Sequence, residues 1–104
     1  MKYRLGYLTT KDRNEAEKIG RTLVEKRLAA CANILPAMHS IYRWKEEVET
    51  ADECVLLIKT TQKQEETIQT VVKALHSYEC PCLVFLPLEG GSPAFLEWIG
   101  ANVG

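Results

Sequence analysis

The run Leu28-Ala-Ala-Cys-Ala-Asn-Ile-Leu-Pro-Ala-Met-His-Ser-Ile-Tyr-Arg-Trp44 holds the junction around which the chain is organised. A helix ends in it and a long strand begins. Upstream, Asp12 and Glu15 have the spacing of a capping box. Ala16, Ile19, Leu23, Val24 and Leu28 then recur at helical period, which predicts a helix from residue 12 to about residue 29. Downstream, residues 32–48 read as one long strand with Tyr42 and Trp44 on a shared face. Pro36 marks a bulge or bend in it, because proline cannot donate to a ladder. The polar stretch Glu46–Asp52 is expected to supply a hairpin turn, and residues 53–60 return.

The remaining elements follow from the same signals. Thr61 with Gln64 repeats the cap spacing before Ile68, Val71, Val72 and Leu75, predicting a second helix over 62–76. Residues 3–9 and 82–88 supply two further strands. Ser92-Pro93 pairs a cap residue with proline at the first helical position. A short third helix follows, with Phe95, Trp98 and Ile99 spaced to face a core. The order is strand, helix, long hairpin, helix, strand and terminal helix. It specifies an α+β, ferredoxin-like split βαβ sandwich with helices on one face.

At 104 residues the chain is a single domain, 1–104, large enough to bury a core without staples. A net charge of −1 gives no attraction to nucleic acid or to an anionic membrane. The longest apolar run, Val55–Ile58, is far too short to span a bilayer. The start, Met1-Lys2-Tyr3-Arg4, lacks an apolar signal region, so a cytoplasmic protein is expected. Four cysteines, at 31, 54, 80 and 82, have neither knuckle spacing nor a secretory context. Disulfides and structural zinc are therefore disfavoured. Cys54 reads as core; Cys31 is open between core and ligand. Val55-Leu56-Leu57-Ile58 and Cys82-Leu83-Val84-Phe85-Leu86 do not alternate, so both faces of these strands should be covered. Two helices cover one face, and another copy of the chain is the simplest cover for the other.

Together with Ile58-Lys59-Thr60 and His76-Ser77-Tyr78-Glu79-Cys80-Pro81, the opening run resembles the CutA family of divalent-cation tolerance proteins. The resemblance spans nearly the whole chain. It implies a homotrimer of PII-like architecture, a link to copper, and no established catalytic reaction. It also brings departures: Ser77 stands where the family usually has proline. Leu8-Thr9-Thr10 replaces a first-strand cysteine found in some members. Glu46 stands where a glycine follows the family's Ile-Tyr-Arg-Trp.

Several residues are candidates for chemistry. His76, at a helix end, reads either as a partner of the helix dipole or as a metal ligand. The resemblance makes it and Cys31 proposed copper ligands. Imidazole coordinates in its neutral form, so binding through His76 is expected above about pH 7. Cys80 and Cys82, on one face of an entering strand, form a further soft-metal candidate beside the reading as buried thiols. Tyr42 and Trp44 either pack across strands or wall a ligand cleft together with Lys59, Tyr78 and Glu79. The acidic run Glu46, Glu47, Glu49, Asp52 and Glu53 reads as a solvated face. Lys59, Lys63, Arg43 and Gly90-Gly91-Ser92 give only weak signals for an anionic ligand, without a P-loop or dinucleotide motif. A Cys31–His76 nucleophile pair lacks an orienting third group, so no enzyme is expected. The leading expectation is a copper-binding or metal-responsive trimer with no obligatory cofactor. The alternative is a PII-like module that binds a nucleotide or another small molecule.

Overall fold

Strand β1 (Tyr3–Thr10) lies inside a four-stranded antiparallel sheet in a computed structural model covering residues 1–104. Its neighbours are β3 (Glu47–Thr61) and β4 (Leu83–Leu88), and β2 (Cys31–Trp44) forms the far edge beyond β3. The order β2-β3-β1-β4 is that of the split βαβ sandwich. Helices α1 (Arg13–Glu25) and α2 (Glu65–Leu75) cover one face, where Leu8, Leu56 and Ile58 meet Ile19, Leu23, Ile68 and Val72 in a fully buried core. Cys54 belongs to that core. Gly6 fits closely there: a Cβ would stand 3.1 Å from Ile58 Cβ and 3.2 Å from the Phe85 ring, so either neighbour would have to give way by a few tenths of an ångström.

Three boundaries differ from expectation, each for a local reason. Helix α1 stops at Glu25 rather than near residue 29. Arg27 takes a left-handed conformation (φ 59°), and the amides of Arg27 and Leu28 donate to Val24 O and Leu23 O. This is a Schellman stop with arginine where glycine is usual. Leu28 continues the apolar row because it packs back over the helix end.

The hairpin turn is Lys45-Glu46 alone, not the polar stretch to Asp52. Both residues have positive φ, 49° and 68°, as in a two-residue I′ turn. Glu47–Asp52 is therefore strand, paired residue by residue with His39–Trp44 in a ribbon that overhangs the sheet. At the third boundary, a 3₁₀ turn (Gln62–Gln64) precedes α2, and Thr61 makes no side-chain cap. Glu65 instead accepts a 2.8 Å bond from Arg4.

Pro36 does mark a bulge. Leu35 pairs with Val55 and Met38 with Glu53, so β2 carries one extra residue, with Ala37 left-handed at φ 66°. Before the bulge, Cys31, Asn33 and Leu35 point away from the helices; after it, Met38, Ser40, Tyr42 and Trp44 do.

Helix α3 (Pro93–Ala101) occupies the open face that two helices were expected to leave bare. It covers one end only, with Phe95 beneath Lys59 Nζ and Gly100 against Met1 and Tyr3. Ile99 is its buried anchor, whereas Phe95 and Trp98 stack on each other and stay about 43% and 42% exposed. The expectation that all three face a core is corrected: a nine-residue helix lying flat across one end of the sheet buries one side chain fully. Leu35, Val84 and Leu86 remain exposed on the rest of that face.

Candidate functional site

The end of the sheet away from α3 is organised by the segment 76–82, which joins α2 to β4. His76 caps α2 and its side chain is 0% exposed. Nδ1 accepts the Tyr78 amide at 3.0 Å, so the ring proton sits on Nε2, which donates to Thr9 O at 2.8 Å. Beneath it, Glu15 Oε1 accepts the Lys11 amide and Oε2 accepts the Ser77 amide. The Cys82 carbonyl accepts the Thr9 amide, which pins the far end of the segment. Tyr78 packs against His76 with the rings tilted at 54° and their centroids 4.6 Å apart, and it donates its hydroxyl to Glu53 Oε2 at 2.6 Å. Burial, and then that bond to Glu53, push the Tyr78 phenol well above its usual range, so it stays a donor.

Between this segment and the ribbon lies a cleft of about 660 Å³. Tyr42 and Trp44 wall it from β2, with Met38, Ser40 and Ile41. Tyr7 and Thr9 come from β1 and Glu53 from β3, and the segment adds Tyr78, Glu79, Cys80 and Cys82. The bulge makes this possible: it absorbs the extra residue of β2, which in a plain ladder would turn Tyr42 and Trp44 to the opposite side.

The sequence-based candidates separate into two groups. Tyr42, Trp44, Tyr78, Glu79, Cys80 and Cys82 line this one cleft. Cys82 sits one residue before β4 rather than inside it, and both thiols are free and exposed. Lys59 is not among them, which corrects its assignment to the cleft. It lies at the α3 end, bonded to Asn33 Oδ1 at 2.7 Å and held over Phe95. Cys31 is Lys59's partner in the ladder, whereas Thr9, which anchors His76, pairs with Val55. Four residues of strand, about 13 Å, thus separate Cys31 from the His76 anchor. The structure does not bring Cys31 and His76 together, either as ligands or as a nucleophile pair. The expectation of an imidazole poised for metal is also corrected, because both nitrogens of His76 are committed to the backbone.

Sequence reasoning missed Glu53, Met38, Tyr7 and Thr9. In sequence Glu53 groups with the solvated acidic run, yet it is only 8% exposed. Its two-residue spacing from Val55 and Leu57 places it on the open face and is the available signal. No three His, Cys, Asp or Glu side chains anywhere in the chain converge as a metal cluster.

The CutA1 divalent ion tolerance protein family model matches residues 5–102. The chain belongs to the CutA1 family. The divalent-cation tolerance protein CutA of Thermus thermophilus is 43% identical over 97 residues, covering 93% of this chain and 94% of the relative. That of Archaeoglobus fulgidus is 40% identical over 97 residues, with the same coverage. Among solved structures, a CutA1 of Thermus thermophilus superposes with a TM-score of 0.96 at 41% identity, covering 98% of this chain and 99% of that one. The CutA1 of Oryza sativa also reaches 0.96, at 31% identity over 100% of this chain and 95% of that one. The CutA1 fold is thus preserved here, overhanging ribbon included.

Proposed function

We propose that this CutA1 member is a non-catalytic, trimeric divalent-cation tolerance protein of the cytoplasm that binds copper through Cys80 and Cys82. The observation that carries the reading is that both thiols are free and exposed on the wall of one cleft, which the Met38 thioether lines from the ribbon. Thiolate and thioether are the donors that select copper over harder divalent ions. Family membership supports cation tolerance as the biological setting. One chain offers these sulfurs but no closed cage, so water or a second copy completes the shell. The uncovered side chains Leu35, Val84 and Leu86 support a trimer. Four unpaired thiols suit a reducing compartment. The nucleotide alternative finds less support, because no lysine or arginine lines the cleft.

Copper titration by calorimetry tests the site. The Cys80→Ser/Cys82→Ser double variant should lose at least about tenfold in affinity, some 1.4 kcal/mol. His76→Ala should keep wild-type copper affinity but lose about 2–4 kcal/mol of stability, because Thr9 O and the Tyr78 amide lose their buried partner. Undiminished copper binding in the double variant would remove the thiols from the site.

A further inference from the structure

The acidic groups of the cleft have no role in holding copper on sulfur, and one of them is anomalous. Glu53 is only 8% exposed, yet no lysine, arginine or histidine pairs with it. Its single hydrogen bond comes from the neutral Tyr78 hydroxyl to Oε2. Oε1 receives none, and it is not sealed off from the cleft, because no buried polar side-chain atom lacks a partner. Buried carboxylates are ordinarily paired with a cation. Here the chain supplies none.

The surroundings say what kind of cation fits. Glu53 and Glu79 are the only charged residues lining the cleft, and both are negative. Across the ladder, Glu49 stands opposite Tyr42 and Glu47 opposite Trp44, so two more carboxylates share the aromatic face of the ribbon. The walls themselves are apolar and aromatic: Tyr7, Met38, Ile41, Tyr42, Trp44 and Tyr78. A hydrated inorganic ion gains little from such walls, whereas an organic ammonium gains twice, from ring faces and from burial of its alkyl part. The chain already displays the contact. Lys45 Nζ lies 5.5 Å from the Trp44 ring centroid and 3.9 Å from Glu79 Oε2. This side chain is 72% exposed and is free to leave.

We propose that the cleft binds a small aliphatic amine, its ammonium group held by the aromatic rings of Trp44 and Tyr42 and the carboxylates of Glu53 and Glu79, with Lys45 as the internal occupant it displaces. The site depends on side chains other than the copper thiols and stands independently of them. It also has the wrong sign for a nucleotide.

Calorimetry on the full chain near neutral pH, with 1,4-diaminobutane as probe, is the test. 1-Butanol serves as the uncharged shape control and adenosine monophosphate as the anion. Saturable binding of the diamine alone is expected. Trp44→Ala should weaken it by about 3- to 30-fold, the span of a cation–π contact from exposed to desolvated, and Glu53→Gln by about tenfold or more, because it removes the charge that faces the ammonium. Lys45→Gln changes only an exposed turn side chain, and it should tighten binding about 2- to 3-fold by removing the competitor. Equal binding of diamine and butanol would overturn the proposal. So would an unsaturated titration in the millimolar range in both wild type and Lys45→Gln, the result expected if a lysine of a neighbouring copy fills the cleft instead.

Discussion

Glu15 holds the 76–82 segment from below with both carboxylate oxygens, and it needs its charge to do so. Burial opposes ionisation, but hydrogen bonding from Ser77 and from the Lys11 amide outweighs it and holds the carboxyl below its usual range. A carboxyl whose pKa is lowered by folding stabilises the protein fully above the unfolded value of about 4.3. That stabilisation is lost as pH falls through the lower folded value. The melting temperature of wild type should therefore drop steeply below about pH 4, and Glu15→Gln should show a flatter acid limb. Parallel pH profiles for the two proteins would show that Glu15 carries no such linkage. His76 is the companion lesson. Its position beside Tyr78 and Glu79 looks like a ligand in sequence, because sequence shows where an imidazole is and not what its two nitrogens touch.

The ribbon and its turn show which signals a sequence transmits and which it does not. Helix faces, the two βαβ halves and the Pro36 bulge were legible, because each rests on periodicity or on a backbone rule carried by one residue type. The turn was not. Lys45 and Glu46 adopt left-handed backbone without the glycine that usually announces it, and Arg27 hides the end of α1 in the same way. Ribbon residues beyond the sheet have no core to face, so the polar stretch of β3 looked like loop. Such turns carry strain of about 1–2 kcal/mol for each non-glycine residue. Glu46→Gly should relieve it and raise stability by about 1 kcal/mol, less the extra freedom glycine gives the unfolded chain. Urea denaturation would show this as a higher midpoint with an unchanged slope. A lower midpoint would mean that Glu46 makes contacts worth more than the backbone strain.

For the whole molecule, the open face is divided: α3 covers one end, and Leu35, Val84 and Leu86 lie bare beyond it. Apolar area is worth about 25 cal/mol per Å² on burial, so joining these faces in the proposed trimer offsets the cost of association. Light scattering at micromolar concentration should give the mass of three chains, and Leu86→Lys should shift it toward one. A wild-type monomer would leave those side chains without an explanation. The non-alternating strands called for a cover on the second face; that the chain's own last helix supplies part of it they did not foretell. The extra residue at Pro36-Ala37 has a consequence for descent as well as for shape. Losing one codon there would restore plain alternation from Cys31 to Trp44, leaving Tyr42 and Trp44 on the cleft side while removing the bend at the ribbon's root. Among relatives, the spacing from Asn33 to Trp44 is thus a marker readable from an alignment gap alone, and it separates chains whose ribbon bends at its root from chains whose ribbon runs on straight.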